Sequence, residues 1–275
     1  MRTLYITDLD GTFLNNAGHV SEKSKEIINR LSGDGLLFSV ATARSVLSAV
    51  PLLKGVNVTA PIVAMSGVVI YDIENKKTVK YFPIEADAFY SLIEIFERHS
   101  KSPFAFFFSE KEEYQIVFTE LKLDVHKAYY DTRSKMNGTN IHRVDKYEIP
   151  EEYRPIFVSI CDEYEDLVKI KAEINGIPAL SCSFYKDTYT KYWFLEVFDK
   201  SVSKANGLKA VKAHINADRA VAFGDNRNDF SLFEAADVKC AVSNAVEELK
   251  EKADRIIGSN EEDGVARYIQ KDFRK

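Results

Sequence analysis

The chain has 275 residues, 45% of them hydrophobic and 29% charged, which is ordinary globular composition with room for a sizeable core and more than one domain. Its 37 Lys and Arg against 42 Asp and Glu give a net charge of −5 with no basic stretch, which speaks against nucleic acid or an anionic membrane as the main partner. No window of about 18 apolar residues is present, and Met1-Arg2-Thr3 runs straight into a strand, so the expectation is a soluble, cytoplasmic protein without a leader or a membrane span.

In chain order, Leu4-Tyr5-Ile6-Thr7 reads as a strand that runs into Asp8-Leu9-Asp10-Gly11-Thr12. An extended backbone puts residues i and i+2 on one side, so Asp8 and Asp10 point at one spot past the strand's end. By itself this could be a plain Asp-Gly turn. Ser21 is a candidate N-cap for a helix with Ile27, Ile28 and Leu31 on its apolar face. Leu36 to Ala41 is a second strand, ending at Thr42-Ala43-Arg44, and Ser45 to Leu53 has a helical pattern. Pro61 to Met65 is a third strand, ending at Ser66-Gly67, and Val68–Ile73 with Thr78–Phe82 reads as a hairpin. Alternation of apolar strands and amphipathic helices implies βαβ units and a parallel sheet.

The composition then changes, with 24 of the chain's 33 aromatics in residues 81–198. Phe89, Leu92, Ile93 and Phe96 have helical spacing. Phe104–Phe108 and Tyr114–Thr119 form a hairpin about an acidic tip, Glu110 to Glu113, and the Phe run fits a domain core better than a ligand cage. A polar helix over about Glu120–Lys135, a strand at Ile156–Ile160, a helix at Glu163–Ile174 and strands at Ala179–Tyr185 and Tyr192–Phe198 complete an α+β pattern. The βα alternation resumes at Ser203-Lys204. A buried strand, Ala220–Phe223, stops at Gly224-Asp225-Asn226-Arg227-Asn228-Asp229, and Lys239–Val242, Ile256-Ile257 and a helix from Val265 to Gln270 follow. The expected architecture is therefore α/β: a Rossmann-like parallel-sheet core, residues 1–83 and 191–275, with an inserted α+β cap domain at 84–190. Cys161, Cys182 and Cys240 are too scattered for a disulfide framework or a CxxC site and read as reduced and buried.

Three strand ends carry useful groups: Asp8 and Asp10, Thr42, and Asp225 with Asn228 and Asp229. In a parallel sheet those ends share one edge, where open α/β sheets bind ligands. Mg²⁺ takes one or two carboxylates plus waters and phosphate oxygens. Asp8 and Asp225 can supply the carboxylates, and the main-chain carbonyl of Asp10 is a plausible third ligand. Lys204 opens a helix, where a cation is poorly placed unless it has a function. It and Thr42 suit phosphoryl oxygens. With no serine or cysteine beside a histidine in a triad signature, Asp8 is the better nucleophile candidate. Arg44 suits either a phosphate contact or a surface salt bridge.

These segments, in this order and spacing, resemble the four motifs of the haloacid-dehalogenase-like (HAD) superfamily. Asn244-Ala245 and Glu262-Asp263-Gly264-Val265-Ala266 resemble further signatures of its Cof-type phosphatases, and the insert is similar in position to a class IIB cap. Thr42-Ala43-Arg44 stands where that group usually has Thr-Gly-Arg, and Ser66-Gly67 where it often has Asn-Gly. The resemblance implies Mg²⁺-dependent hydrolysis of a small phosphorylated metabolite, a sugar phosphate first, in two steps. Asp8 would attack phosphorus, and Asp10 would serve as acid and then base. Thr42 and Lys204 would hold the phosphoryl group, with Leu9, Ala43, Arg44 and Asn228 as further phosphate contacts. Asp8, Asp10 and Asp225 would hold the metal, and Asp229 would brace Lys204 or the metal's waters. A phosphomutase, a phospho-receiver and a non-catalytic sensor are the alternatives. The cap would set specificity and close over the site. Substrate identity and the choice of monomer or dimer are not legible.

Overall fold

The computed structural model describes residues 1–135, 139–187 and 190–273. Two compact units divide the chain: Met1–Tyr81 with Ser203–Lys275, and Phe82–Val202.

The first unit opens with β1 (Thr3–Thr7), whose four C-terminal residues are buried. Residues Leu9–Phe13 then form a wide turn closed by the Leu14 amide on the Leu9 carbonyl at 2.8 Å. Helix α1 (Glu22–Gly33) begins at Ser21, whose hydroxyl accepts the Ser24 amide, and it buries Ile27, Ile28 and Leu31. Strand β2 (Leu37–Val40) follows. The helix expected to Leu53 is shorter: α2 (Val46–Ala49) passes into a tight 3-10 turn, Val50–Leu53, with Pro51 at its start.

The third strand departs from expectation. Strand β3 (Ile62–Ala64) pairs antiparallel with β4 (Val69–Asp72), which pairs with β5 (Lys77–Tyr81), in a separate three-stranded sheet. A single parallel bridge, Ala41 to Val63, links it to the end of β2. The short run Pro61–Met65 carries no signal that separates a parallel from an antiparallel partner.

The second unit has its own core. Helix α3 (Ala86–Arg98) packs on the later helix α5 (Tyr164–Ile174), burying Phe89, Leu92 and Phe96. Strands β6 (Phe104–Ser109) and β7 (Tyr114–Phe118) form the expected hairpin. The run Phe104–Phe108 is buried throughout; Ala105 and Phe107 join the core with α3, and Phe104, Phe106 and Phe108 are buried outside that cluster. Helix α4 (Asp124–Ser134) precedes β8 (Thr139–Arg143), a strand that sequence reading missed because Thr-Asn-Ile-His-Arg has one apolar residue; it pairs parallel with β7. Strand β9 (Tyr153–Asp162), helix α5 (Tyr164–Ile174), β10 (Leu180–Lys186) and β11 (Trp193–Asp199) complete a six-stranded sheet of order β10-β11-β9-β6-β7-β8. Since β11 pairs with both β9 and β10, residues 191–202 belong to this unit and not to the core assigned from residue 191. Of the three free cysteines Cys161 and Cys240 are buried as expected, whereas Cys182, on edge strand β10, is half-buried.

The chain re-enters the first unit through α6 (Lys204–His214) and β12 (Arg219–Gly224). Helix α7 (Phe230–Ala235), β13 (Val238–Val242), α8 (Glu247–Lys250), β14 (Arg255–Ile257) and α9 (Gly264–Asp272) follow. The main sheet has the order β14-β13-β12-β1-β2 and is parallel throughout. The chain leaves β1 towards β2 on one side and returns at β12 on the other. The C-terminal ends of β1 and β12 thus flank a topological switch point, where such sheets place a site. No helix among the described residues is long and apolar enough to cross a membrane.

Candidate active site

Register places the first acidic groups. The Asp8 amide donates to the Phe223 carbonyl at 3.0 Å, which sets Asp8 beside the end of β12. The Ala41 amide donates to the Thr7 carbonyl at 2.8 Å, which brings the residues after β2 to the same edge. Lys204 is the first residue of α6, and its cap Ser203 accepts the Asn206 amide. The local reason for that position is Gly67, at φ +114°. A Cβ there would lie 2.3 Å from the Ser203 carbonyl oxygen, so only glycine lets the turn after β3 approach the start of α6.

Lys204 is 1% exposed and is held by two carboxylates: its Nζ donates to Asp8 Oδ1 at 2.5 Å and to Asp229 Oδ1 at 2.6 Å. The other oxygen of Asp229 accepts the Asp225 and Asn226 amides at 3.0 and 3.2 Å. Asp225 Oδ1 accepts the Thr12 hydroxyl at 2.9 Å. Carboxylate oxygens of Asp8, Asp225 and Asp229 all lie within 4.8 Å of one another.

One ammonium does not neutralise three such acids. Burial pushes Asp8 upward; Lys204 opposes this, and the Asp229 and Asp225 charges reinforce it. Burial likewise lifts Asp225 to about 6, with Asp229 adding to the effect. Burial pulls Lys204 down, but Asp229 and Asp8 outweigh it and the ammonium is held above its ordinary range.

The site is thus short of positive charge, and a divalent cation fits the donor set. Asp8 Oδ2 and Asp225 Oδ2 accept no hydrogen bond among the described residues, whereas both oxygens of Asp229 are engaged. Gly11, at φ +75°, is shaped round this spot: a Cβ there would fall 2.4 Å from Asp225 Oδ2. Oxygen donors of this kind suit hard divalent cations.

The remaining sequence candidates lie nearby with different surroundings. Thr42 is buried; its amide donates to the Val63 carbonyl and its Oγ1 accepts the Arg44 amide at 3.1 Å. Leu9 is buried and Ala43 exposed. Asn228 is exposed, in the turn Arg227–Asp229 that precedes α7. The carboxylate of Asp10 stands outside the acid cluster and is gripped at both oxygens by Arg44, Nε to Oδ2 at 2.7 Å and NH2 to Oδ1 at 2.6 Å.

A family model described as haloacid dehalogenase-like hydrolase matches residues 5–269. The chain is a haloacid dehalogenase-like hydrolase. Members of this family generally use a divalent metal, in keeping with the acid cluster. The chain is 26% identical over 278 residues to 5-amino-6-(5-phospho-D-ribitylamino)uracil phosphatase YitU of Bacillus subtilis, covering 98% of this chain and 97% of the relative. Among solved structures it is similar to a haloacid dehalogenase-like hydrolase from Bacteroides thetaiotaomicron, with TM-score 0.76, 24% identity and 98% and 99% of the two chains covered. A HAD subclass IIB sugar phosphatase superposes with TM-score 0.72 at 18% identity, covering 98% of each chain. These likenesses fix the fold: a parallel-sheet core and a separate, mainly antiparallel unit.

Some participants in this hydrolase's site were missed. Nothing in the sequence pairs the Thr12 hydroxyl with Asp225, to which it donates. Asn244 Nδ2 donates to the Gly11 carbonyl at 2.7 Å, and Asn244 Oδ1 accepts the Asn260 amide at 3.0 Å. Asn260 Nδ2 in turn donates to the Leu14 carbonyl at 3.0 Å. Asn244, from the signature Asn244-Ala245, and Asn260, which lies outside both signatures, thereby tie down the turn that carries Asp10 and Gly11. Asn244 stood out only through the signature Asn244-Ala245, and Asn260, a lone Asn in a loop, offers no signal of such a partner.

Proposed function

We propose that this hydrolase is a phosphatase that uses Mg²⁺ to hydrolyse monoesters of small phosphorylated metabolites, sugar phosphates first among them. The observation that carries the reading is the buried Lys204, shared between Asp8 and Asp229, beside Asp225 at the switch point. A relative named for a phosphoribitylamino substrate and a structural neighbour named as a sugar phosphatase support the substrate class.

Asp8 is the nucleophile. Its carboxylate oxygen forms a bond to phosphorus as the phosphorus–alkoxy bond breaks, and the Asp10 carboxyl gives its proton to the departing alcohol. Water then adds to phosphorus as the Asp8–phosphorus bond breaks, and its proton passes to Asp10. Free phosphate and both starting carboxyl groups result. Lys204 holds a phosphoryl oxygen and keeps Asp8 aimed. The Thr42 hydroxyl, whose oxygen already accepts the Arg44 amide, donates its hydrogen to another. Main-chain groups of Leu9 and Ala43, with Asn228, complete the phosphoryl cradle. Asp229 fixes the Lys204 ammonium. Asp8 and Asp225, with the Asp10 carbonyl, hold Mg²⁺, which when bound neutralises charge on the carboxylates and the phosphoryl oxygens. Substrate choice is assigned to the aromatic-rich unit, Phe82–Val202.

Phosphate release from p-nitrophenyl phosphate, with Mg²⁺ and with EDTA, tests the reading. The expected result is Mg²⁺-dependent turnover that vanishes in Asp8→Asn. Asp8→Asn turning over like the wild type would end it.

A further inference from the structure

The two faces of the six-stranded sheet in Phe82–Val202 are not alike. Side chains alternate along a strand. Leu195 and Val197 of β11 join the core with α3 and α5, so Phe194, Glu196 and Phe198 point to the other face. Register sets Ser183 of β10 and Ser159 of β9 on either side of Glu196, and Tyr185 of β10 beside Phe194. Helix α4 lies over the β6 part of this face, its Tyr129 ring 4.5 Å from that of Phe104. The β10 part is open: Tyr185 is 43% exposed, and Ser183, Phe194 and Glu196 are half-buried. Two opposite charges meet here without pairing. Glu196 Oε1 accepts the Tyr185 hydroxyl at 2.9 Å, and its other oxygen has no hydrogen bond among the described residues. The Arg133 guanidinium of α4 is stacked on rings instead, 4.4 Å from the centre of Tyr129 and 6.0 Å from that of Phe106, and its buried Nε has no partner among the described residues. Burial pushes the Glu196 carboxyl up to about 7, against the pull of the Tyr185 hydroxyl and the Arg133 charge. Arg133 is thus near enough to act on Glu196, yet among the described residues no ion pair joins them.

We infer that this open half of the sheet is a ligand subsite in which Glu196 and Arg133 together bind a vicinal diol. A hydroxyl both donates and accepts, so a diol can donate to the free oxygen of Glu196 and accept from the Arg133 guanidinium. An anion or a cation would satisfy one of the two charges and be repelled by the other, whereas a neutral polyol uses both. The Ser183 hydroxyl, directly across from Glu196, extends the polar row. The Phe194 and Tyr185 rings, stacked with centres 5.5 Å apart, give the carbon skeleton an apolar wall. On the phosphatase reading, on which this step rests, the diol belongs to the alcohol half of the ester. Glu196 and Arg133 then set which alcohol is accepted and take no part in the phosphoryl transfer itself.

The test, made at pH 8 to keep Glu196 ionised, compares two esters of one carbon skeleton: ribitol 5-phosphate, which carries vicinal hydroxyls, and pentyl phosphate, which carries none. The wild type should favour the first in kcat/KM. Glu196→Gln and Arg133→Met should each cut that preference by about tenfold or more, as expected for a lost hydrogen bond to a charged group. Because both residues hold one diol, the double variant should lose little beyond either single variant. Ribitol alone should bind the wild type in saturation-transfer NMR, and the signal should vanish in Arg133→Met. A wild type without preference, a preference unmoved in both variants, or two losses that simply multiply would overturn the shared diol site. Equal losses on both esters with a lowered Tm would make the two residues structural and overturn it as well. A wild type that hydrolyses neither these esters nor p-nitrophenyl phosphate would remove the phosphatase reading, and ribitol binding lost in Arg133→Met would still uphold the subsite. Absence of ribitol binding in the wild type removes the subsite in every case.

Discussion

Two acid–base pairings stand at the same edge of the main sheet and differ in what surrounds them. Lys204 with Asp8 and Asp229 is buried, whereas Arg44 with Asp10 is half in water. Burial makes the first set expensive to break and therefore fixed in place. Exposure makes the second cheap to break. The groups assigned to nucleophile and phosphoryl grip belong to the fixed set, and the group that must alternate between two protonation states belongs to the loose one.

The hardest blow to that contrast is the loss of a charge from the fixed set. Lys204→Met should abolish turnover and, by leaving Asp8 and Asp229 buried without their cation, cost about 3–5 kcal/mol of stability. The penalty should shrink towards pH 5, where Asp8, whose carboxyl burial raises, takes up a proton, and urea melts at pH 5 and 8 measure both. An equal and small loss at the two pH values would show that burial does not govern this set. Asp8→Asn should lower kcat by at least about 10³-fold.

Gly67→Ala comes next. It puts a Cβ against the Ser203 carbonyl at a left-handed φ, and should cost about 2–3 kcal/mol while displacing Lys204. A crystal structure and a thermal melt check it, and an unmoved Lys204 would contradict it.

A subtler comparison uses pH on Asp225, whose carboxyl is raised to about 6 by burial first and Asp229 second. The folded protein then binds this proton more tightly than the unfolded chain does. The stabilisation is present below the unfolded value near 4 and is lost as pH rises through about 6. Asp225→Asn mimics the protonated form. In EDTA its Tm should therefore gain on the wild type between pH 4.5 and 7, and Mg²⁺ should erase the gain by favouring the wild-type carboxylate. Parallel Tm curves in EDTA would contradict the raised value.

The smallest effect belongs to the loose pair. Arg44→Ala should change stability by less than about 1 kcal/mol, and less still at 1 M salt. A larger, salt-insensitive loss would place the pair with the buried set.

The same contrast marks what was legible in the sequence. Asp8, Thr42 and Asp225 could be read because each follows an apolar strand, and strand ends of a parallel sheet converge by topology alone. Lys204 stood out because a lysine opening a helix is locally unfavourable. The grip of Arg44 on Asp10 could not be read, since two exposed residues 34 positions apart carry no periodic trace of each other. The sheet choice of β3 and the existence of β8 failed for a related reason: three apolar residues, or five mostly polar ones, do not specify a partner strand. The end of the insert was set too early because β11 is as apolar as a core strand, and only its pairing with β9 and β10 shows where it belongs.

The pairing of β1 with β12 also bears on how the molecule comes into being. Thr3 faces Arg219, so one edge of β1 waits for a partner made about 200 residues later. The six-stranded sheet of the insert, by contrast, closes within Phe82–Val202. During synthesis the insert can fold while β1, joined only to β2, still presents a bare apolar edge to the cell. Asp8 gains Lys204 and Asp225 only when the last quarter of the chain has arrived. A chain stopped at Val202 is therefore expected to have a folded middle and no active site at all.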